Sequence, residues 1–131
     1  MTIQYSTAVN NARLDAIETI VGASAKLKVY TGTKPANCAT SATGTLLVDM
    51  DLPSDWMSAA SANSKAKSGT WTGVGAASGV AGYFRITNTD GTAVGIQGSA
   101  GTSGADMIFD NTNIAVEQAV TVTSFTISAP V

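Results

Sequence analysis

The chain has 131 residues, a formal net charge of −2 and a pI near 4.7. This length fits one domain with a single core. Seven Lys and Arg against nine Asp and Glu give no dense basic surface with which to neutralise phosphates. No stretch approaches the roughly 18 consecutive apolar residues of a membrane span. We therefore expect neither nucleic acid nor a membrane as a partner.

Small residues dominate the sequence. Ala, Gly, Ser and Thr account for 65 of the 131 residues, whereas Leu, Ile, Val and Phe together account for 27. That apolar fraction is close to the lower limit for filling a core, while a charged fraction of 12% is too low for a disordered chain. We expect closely packed sheets whose stability is increased by association into an oligomer or a larger assembly.

The cysteine content and the first residues indicate where the chain is made. Cys38 is the only cysteine, which excludes a disulfide within the chain and is typical of a reducing cytoplasm. The opening Met1-Thr2-Ile3-Gln4-Tyr5 has neither the basic start nor the apolar run of a secretory signal. We expect synthesis in a reducing cytoplasm.

The first predicted element is an amphipathic helix over 6–21. Ser6 or Thr7 is expected to cap its start, and Gly22 is expected to end it in the left-handed conformation. Apolar residues recur at helical spacing on one face, namely Leu14, Ile17 and Val21, flanked by Val9, Ala12, Ala16 and Ile20. The other face is polar, with Asn10, Asn11, Arg13, Asp15 and Glu18. We expect the apolar face to be covered by the chain's own sheet or by a neighbouring subunit.

The rest of the sequence is typical of short strands joined by small-residue loops. Alternating or β-rich patterns predict strands over the ranges 26–30, 46–52, 68–72, 81–87, 92–98, 107–109 and 119–128. Asn88-Thr89-Asp90-Gly91 predicts a hairpin turn, because Asp-Gly supplies the positive φ that tight turns need. The apolar register shifts between Val122 and Phe125, which predicts a bulge near Ser124.

Seven or eight short strands at intervals of about ten residues indicate an antiparallel sandwich or barrel. We predict a mainly-β fold, with an N-terminal helical segment over 1–22 and a single antiparallel β-sandwich over 23–131. The sandwich would be jelly-roll-like or another Greek key. An open barrel is the alternative.

Candidate catalytic residues are scarce. The chain has no histidine, so the commonest general base and metal ligand is missing and Ser/His and Cys/His pairs are excluded. Asp49 and Asp51 share one face of a strand, which suits cation binding or glycoside chemistry, although the solvent face of an alternating strand explains them better. Cys38 lies in a loop with no base expected within reach. We expect no catalytic residue, no metal site and no cofactor.

Three aromatic residues allow two interpretations. Trp56, Trp71 and Tyr83 could form a platform on which a sugar stacks, or they could be the large pieces of a small core. Aromatic residues this sparse favour the core.

Several stretches of the sequence carry a resemblance to a known family. They are Tyr5-Ser6-Thr7-Ala8-Val9, Asn11-Ala12-Arg13-Leu14-Asp15-Ala16-Ile17-Glu18, Lys28-Val29-Tyr30-Thr31-Gly32, Pro35-Ala36-Asn37-Cys38, Leu52-Pro53-Ser54-Asp55-Trp56, Ser64-Lys65-Ala66-Lys67-Ser68-Gly69-Thr70-Trp71, Gly82-Tyr83-Phe84-Arg85-Ile86 and Val120-Thr121-Val122-Thr123-Ser124-Phe125-Thr126. These stretches resemble a family of small virion structural proteins of tailed bacteriophages, and the resemblance runs nearly end to end. It implies decoration (cement) of the head or a place among fibre and tail components, and it brings no catalytic residues.

The resulting expectation is a non-catalytic virion structural protein, foremost a capsid decoration (cement) protein on the outer head surface. Its partners would be the major capsid protein or other virion proteins and further copies of itself, with a trimer favoured. The candidate interaction residues are Val9, Leu14, Ile17, Val21, Trp56 and Trp71. The alternatives are a tail or fibre/adaptor component and a glycan-binding module on the virion surface.

Overall fold

The computed structural model describes residues 3–129. Residues 1–2 of the predicted segment 1–22 and residues 130–131 of the predicted segment 23–131 therefore lie outside the described residues. One helix, α1 (Thr7–Val21), precedes nine strands. The strands are β1 (Lys26–Thr31), β2 (Leu46–Asp51), β3 (Ser64–Ala66), β4 (Thr72–Val74), β5 (Gly79–Thr87), β6 (Val94–Gly101), β7 (Met107–Phe109), β8 (Asn113–Ile114) and β9 (Ala119–Ser128). The predicted mainly-β fold with one leading helix is confirmed.

Both predicted ends of α1 are confirmed in position. The Ser6 hydroxyl accepts a hydrogen bond from the Val9 backbone N–H at 3.2 Å, which satisfies one of the free donors of the first turn. Gly22 follows the last helical residue, and its N–H donates to the Glu18 carbonyl. Its φ of 95° and ψ of 171° lie outside the predicted left-handed helical region, in a region that only glycine adopts readily. The chain then bends at Ala23 and Ser24 before β1 begins.

The strands form one curled mixed sheet, a half-barrel, in the order β2-β1-β5-β6-β7-β9-β3, with β4 paired to β9 and β8 to β5. Directly after β4, Gly75 forms a single antiparallel bridge with Val48 on β2. The opposite regions of the sheet therefore curve towards each other around one core.

The prediction of a purely antiparallel sheet is wrong at one ladder, because β6 and β7 pair in parallel. Parallel neighbours normally need a long crossover, yet only residues 102–106 separate these two strands. The ladder is short, with the pairs Ala100–Met107 and Gly101–Ile108. Asp106 fixes the loop, since its carboxylate accepts from the Ser99 N–H at 2.9 Å and from the Ser99 hydroxyl at 3.1 Å.

The predicted hairpin turn and bulge are both confirmed. Gly91 has a φ of 75°, and the Asn88 side-chain oxygen accepts from the N–H groups of Thr92 and Ala93. In β9 the pairing with β7 skips Thr123, next to the predicted position of the bulge. The strand predicted over 68–72 is wrong in its bounds, because β3 and β4 pair with β9 on either side of that stretch.

The core is built on aromatic contacts inside the curl. Trp71 lies 5.8 Å from Phe125 and 6.1 Å from Trp56, centroid to centroid, and Phe84 meets Phe125 edge-on at 5.5 Å. All four rings are almost fully buried. The large rings thus fill space that the small residues around them leave open.

The outer face of β5 is covered by the loop over 32–45. The Tyr83 hydroxyl donates to the Thr43 carbonyl at 2.6 Å and accepts from the Thr43 N–H at 3.0 Å. Tyr83 also stacks on Tyr30 at 5.0 Å. The central strand is therefore buried on both faces.

Among residues 3–129 no helix has the length and apolar character to span a membrane.

We predict that Phe125→Ala destabilises the fold by about 3–5 kcal/mol, because it removes the ring that joins Trp71 to Phe84 and leaves a cavity. The matched control is Val116→Ala, whose side chain is 57% exposed and whose truncation should change stability by less than about 0.5 kcal/mol. Urea unfolding followed by tryptophan fluorescence measures both. Equal effects of the two substitutions would contradict this description of the core.

Candidate interaction surface

Helix α1 packs on the sheet through its polar face. Lys65, at the centre of β3, is 2% exposed. Its ammonium lies 2.7 Å from Asp15 Oδ1 and 3.0 Å from Glu18 Oε1. It also donates to the Ser58 carbonyl at 2.8 Å. The three acceptors match the three donors of an ammonium group, so the buried charge is fully paired.

Both carboxylates also accept backbone hydrogen bonds from the segment that precedes β3. Asp15 Oδ1 accepts from the Ala60 N–H at 2.9 Å, and Glu18 Oε2 accepts from the Met57 N–H at 3.2 Å. The two acidic residues are three positions apart and therefore share one helix face. They hold the helix, the loop and β3 together.

The electrostatics of this cluster favour the charged forms. The hydrogen bond from Lys65, reinforced by the one from Ala60, lowers the pKa of Asp15 below its ordinary value. Burial alone would lower the pKa of Lys65, but the hydrogen bonds to Asp15 and Glu18 and their charges outweigh it and raise that pKa. Asp15 and Lys65 therefore remain ionised across the neutral range.

Further polar contacts fix the two ends of the helix. Near its start, Asn10 donates to the Asn63 side chain at 2.9 Å, and Asn11 accepts from the Asn63 N–H at 3.1 Å. At its end, the Trp56 indole N–H donates to the Gly22 carbonyl at 2.9 Å. Polar contacts to the rest of the chain thus occur near both ends and in the middle of the helix.

Gly95 on β6 sets the distance between α1 and the sheet. A Cβ atom added at this position would collide with the Val21 side chain. The missing side chain lets Val21 pack directly against the β6 backbone. Val21 is 8% exposed as a result.

This packing buries some residues of the predicted apolar face of α1 and leaves others exposed. Leu14 and Val21 are buried, at 4% and 8% exposure, whereas Val9 is 45% exposed. Ile20 is 83% exposed, and Ile17 is half-buried. On the polar face, Asn10 is fully buried, and Asp15 and Glu18 bind Lys65. The sheet therefore covers only part of the predicted apolar face, because the buried ammonium pairs with the acids of the polar face.

The exposed row of α1 consists of Val9, Ala12, Ala16 and Ile20, all of which are open to solvent. Beside it, Ile17 lines a groove of about 630 Å³ between α1, β6 and β9. A second, shallower groove runs between the helix and Gly95 and includes Ala16 and Ile20. The row and the grooves share residues and form one continuous surface.

Trp56 and Trp71 lie in the core, and Tyr83 lies beneath the loop over 32–45. Trp56, Trp71 and Tyr83 are each 0% exposed, so none of the three rings presents a face to solvent. This agrees with the interpretation favoured by the sequence. We base no ligand site on them.

The remaining polar candidates, Asp49 and Asp51, lie at the surface and pair with lysines. Asp49 and Asp51 are exposed on β2, with Lys28 at 3.6 Å and Lys26 at 2.7 Å, while Val48 and Met50 point into the core. The predicted solvent face of this strand is confirmed. In the part of the chain that the structure describes, no three His, Cys, Asp or Glu side chains converge as a metal site would require.

Lys65 is the residue that sequence reasoning missed. It falls in a stretch to which the sequence assigns no helix or strand, and its neighbours Ser64 and Ala66 give no apolar pattern. The signal that points to it is on the helix, where neither Asp15 nor Glu18 has a basic residue three or four positions away.

No family model matches the chain, and neither the curated proteins nor the solved structures compared with it include a significant match.

We predict that Asp15→Asn reduces the loss of stability on acidification. Because the pKa of Asp15 is lower in the folded chain, its contribution is complete above the unfolded value of about 3.9 and is lost as the pH falls through the folded value. Melting temperatures between about pH 2 and 7 measure this for wild type and variant.

The control for this pH series is Asp51→Asn, because the Asp51 side chain is 82% exposed in its pair with Lys26 and such pairs contribute little. The stability difference between wild type and Asp15→Asn should shrink below about pH 4. A difference that stays constant down to pH 2 would show that the Asp15 charge does not hold the helix.

Proposed function

We propose that this chain is a non-catalytic structural protein of a tailed-bacteriophage virion and that it decorates the outer surface of the head. The sequence resemblance supports the class of protein. The observation that carries the role is the exposed row of α1, because an apolar helix face fixed towards solvent is a surface for a protein partner.

The geometry of the row suits a flat contact. Val9 and Ile20 are eleven residues apart, which places them on the same side of the helix and about 16 Å from each other along its axis. Ala12 and Ala16 between them are small and let a partner approach the helix backbone closely. Because the cluster around Lys65 anchors the opposite face, the row cannot turn inward.

The sheet is proposed to serve as the rigid body that presents this helix. We propose that the two sides of the curled sheet pack face to face as in a β-sandwich, since Trp71 and Phe125 contact each other inside the curl. We propose that this sandwich has Greek-key connections between its strands. The partner would be the major capsid protein, with contacts between copies adding to the stability of the lattice.

A tail or fibre/adaptor role is the alternative, and the number of copies per virion distinguishes the two. Quantitative mass spectrometry of purified virions should find hundreds of copies for a head decoration protein. A count that is a small multiple of three or six would contradict decoration and support the tail or fibre assignment.

We predict that Ile20→Glu weakens binding to purified capsids by about tenfold or more, because it replaces an apolar contact with a charge that must be desolvated. The assay is co-sedimentation with capsids of the encoding phage that lack this protein. The control is Val80→Glu, since Val80 is 61% exposed on β5 and lies outside the helix surface. Equal binding by Ile20→Glu and wild type would overturn the docking role of α1.

A further inference from the structure

Arg85 is a buried cation in the middle of β5. It is 4% exposed, and its cross-strand neighbours are Lys28 on β1 and Gln97 on β6. Its Nη2 donates to the Thr40 carbonyl at 2.6 Å and to the Asn37 carbonyl at 3.3 Å. Its Nε donates to Gln97 Oε1 at 3.2 Å. All of these acceptors are neutral, so they orient the guanidinium without balancing its charge.

No carboxylate within the described range compensates this charge. Every ion pair among residues 3–129 involves Lys26, Lys28 or Lys65. The covering loop over 32–45 contains Lys34 and no acidic residue. A buried charge without a counter-ion is costly, and the fold places one at the centre of its sheet.

Lys28 adds to the excess of positive charge. It lies directly opposite Arg85 in the ladder, an arrangement of like charges that destabilises a strand pair. Its carboxylate partner, Asp49, is 3.6 Å away and 38% exposed. Across the adjacent strands β2, β1 and β5, the row Asp49–Lys28–Arg85 therefore contains one acid and two cations.

Arg85 also lines a pocket. Arg85 lines a cavity of about 530 Å³ together with Cys38, Thr40, Ser41 and Thr92. Every buried side-chain nitrogen among the described residues has a hydrogen-bond partner, and Nη1 makes no hydrogen bond with a described residue. Nη1 is therefore the guanidinium nitrogen left for a further partner. Of the three hydroxyl groups in the lining, those of Thr40 and Thr92 already donate to the Asn37 and Asn88 side chains, which leaves that of Ser41.

We propose that this pocket binds a small oxyanion, a phosphate or a carboxylate group, through Nη1 of Arg85 and the Ser41 hydroxyl. A guanidinium is the side chain best suited to such groups, because its N–H donors match two oxygens of one anion. The bound anion supplies the missing counter-charge. The site shares no residue with the exposed row of α1 and does not depend on the proposed function.

Cys38 gives a direct readout because it is the only thiol in the chain and lines the pocket. The rate of its alkylation by iodoacetamide, a neutral reagent, is measured at rising phosphate and, separately, at rising acetate. We expect the rate to fall saturably with at least one of them, whereas chloride at matched ionic strength leaves it unchanged. Saturation by phosphate alone assigns the site to phosphate groups, and saturation by acetate to carboxylates. Equal effects of phosphate, acetate and chloride would overturn the proposal.

Two variants and a control locate the effect. Arg85→Gln should weaken the anion effect by about tenfold or more, because a charge-assisted hydrogen bond is lost. Ser41→Ala removes one exposed hydroxyl, leaves the contacts of Arg85 intact, and should weaken the effect by about fivefold. It tests the site even where Arg85→Gln disturbs the loop. Lys34→Gln removes an exposed charge of the same loop and should change nothing. Loss of the effect in Lys34→Gln, or its persistence in both pocket variants, contradicts a site at Arg85.

Discussion

The Lys65 ammonium determines how helix α1 sits on the rest of the molecule. Its three hydrogen bonds join the helix, the loop before β3 and β3 itself, and they do so from a position that water barely reaches. A buried ammonium loses its hydration, so it must keep all of its partners. Rotating the helix to bury its apolar face would leave Lys65 without Asp15 and Glu18. The polar contact therefore decides the orientation, and the apolar residues take the positions that remain.

The exposed row of α1 follows from this constraint. Leu14 and Val21 lie close enough to the sheet to be buried, and Gly95 makes room for Val21, but Val9 and Ile20 are carried to the far side. An ordinary amphipathic helix is stabilised by burying its apolar face. Here the anchoring is electrostatic, so the apolar residues on the outer side remain available for contact with another protein.

Local features of the fold were predictable from the sequence, and the long-range ones were not. The Ser6 cap, the Asp90-Gly91 turn and the inward face of β2 depend on neighbouring residues, and each was located correctly. The orientation of α1 depends on Lys65, fifty positions from Asp15, and periodicity carries no information about such a pair. The parallel β6–β7 ladder likewise depends on how Asp106 folds its loop back onto Ser99. Of the candidate interaction residues, the sequence indicated the helix but not which of its faces stays exposed.

The two buried cations show how a chain with few large apolar residues fills its interior. Lys65 and Arg85 occupy space beneath the helix and beneath the loop over 32–45, where a richer sequence would place leucine or phenylalanine. Long cationic side chains pack well along their apolar stems, but their charged ends need compensation. Lys65 has two carboxylates within 3.0 Å, whereas Arg85 meets only neutral oxygens. The first cation is therefore satisfied within the chain, and the second requires an anion from outside it.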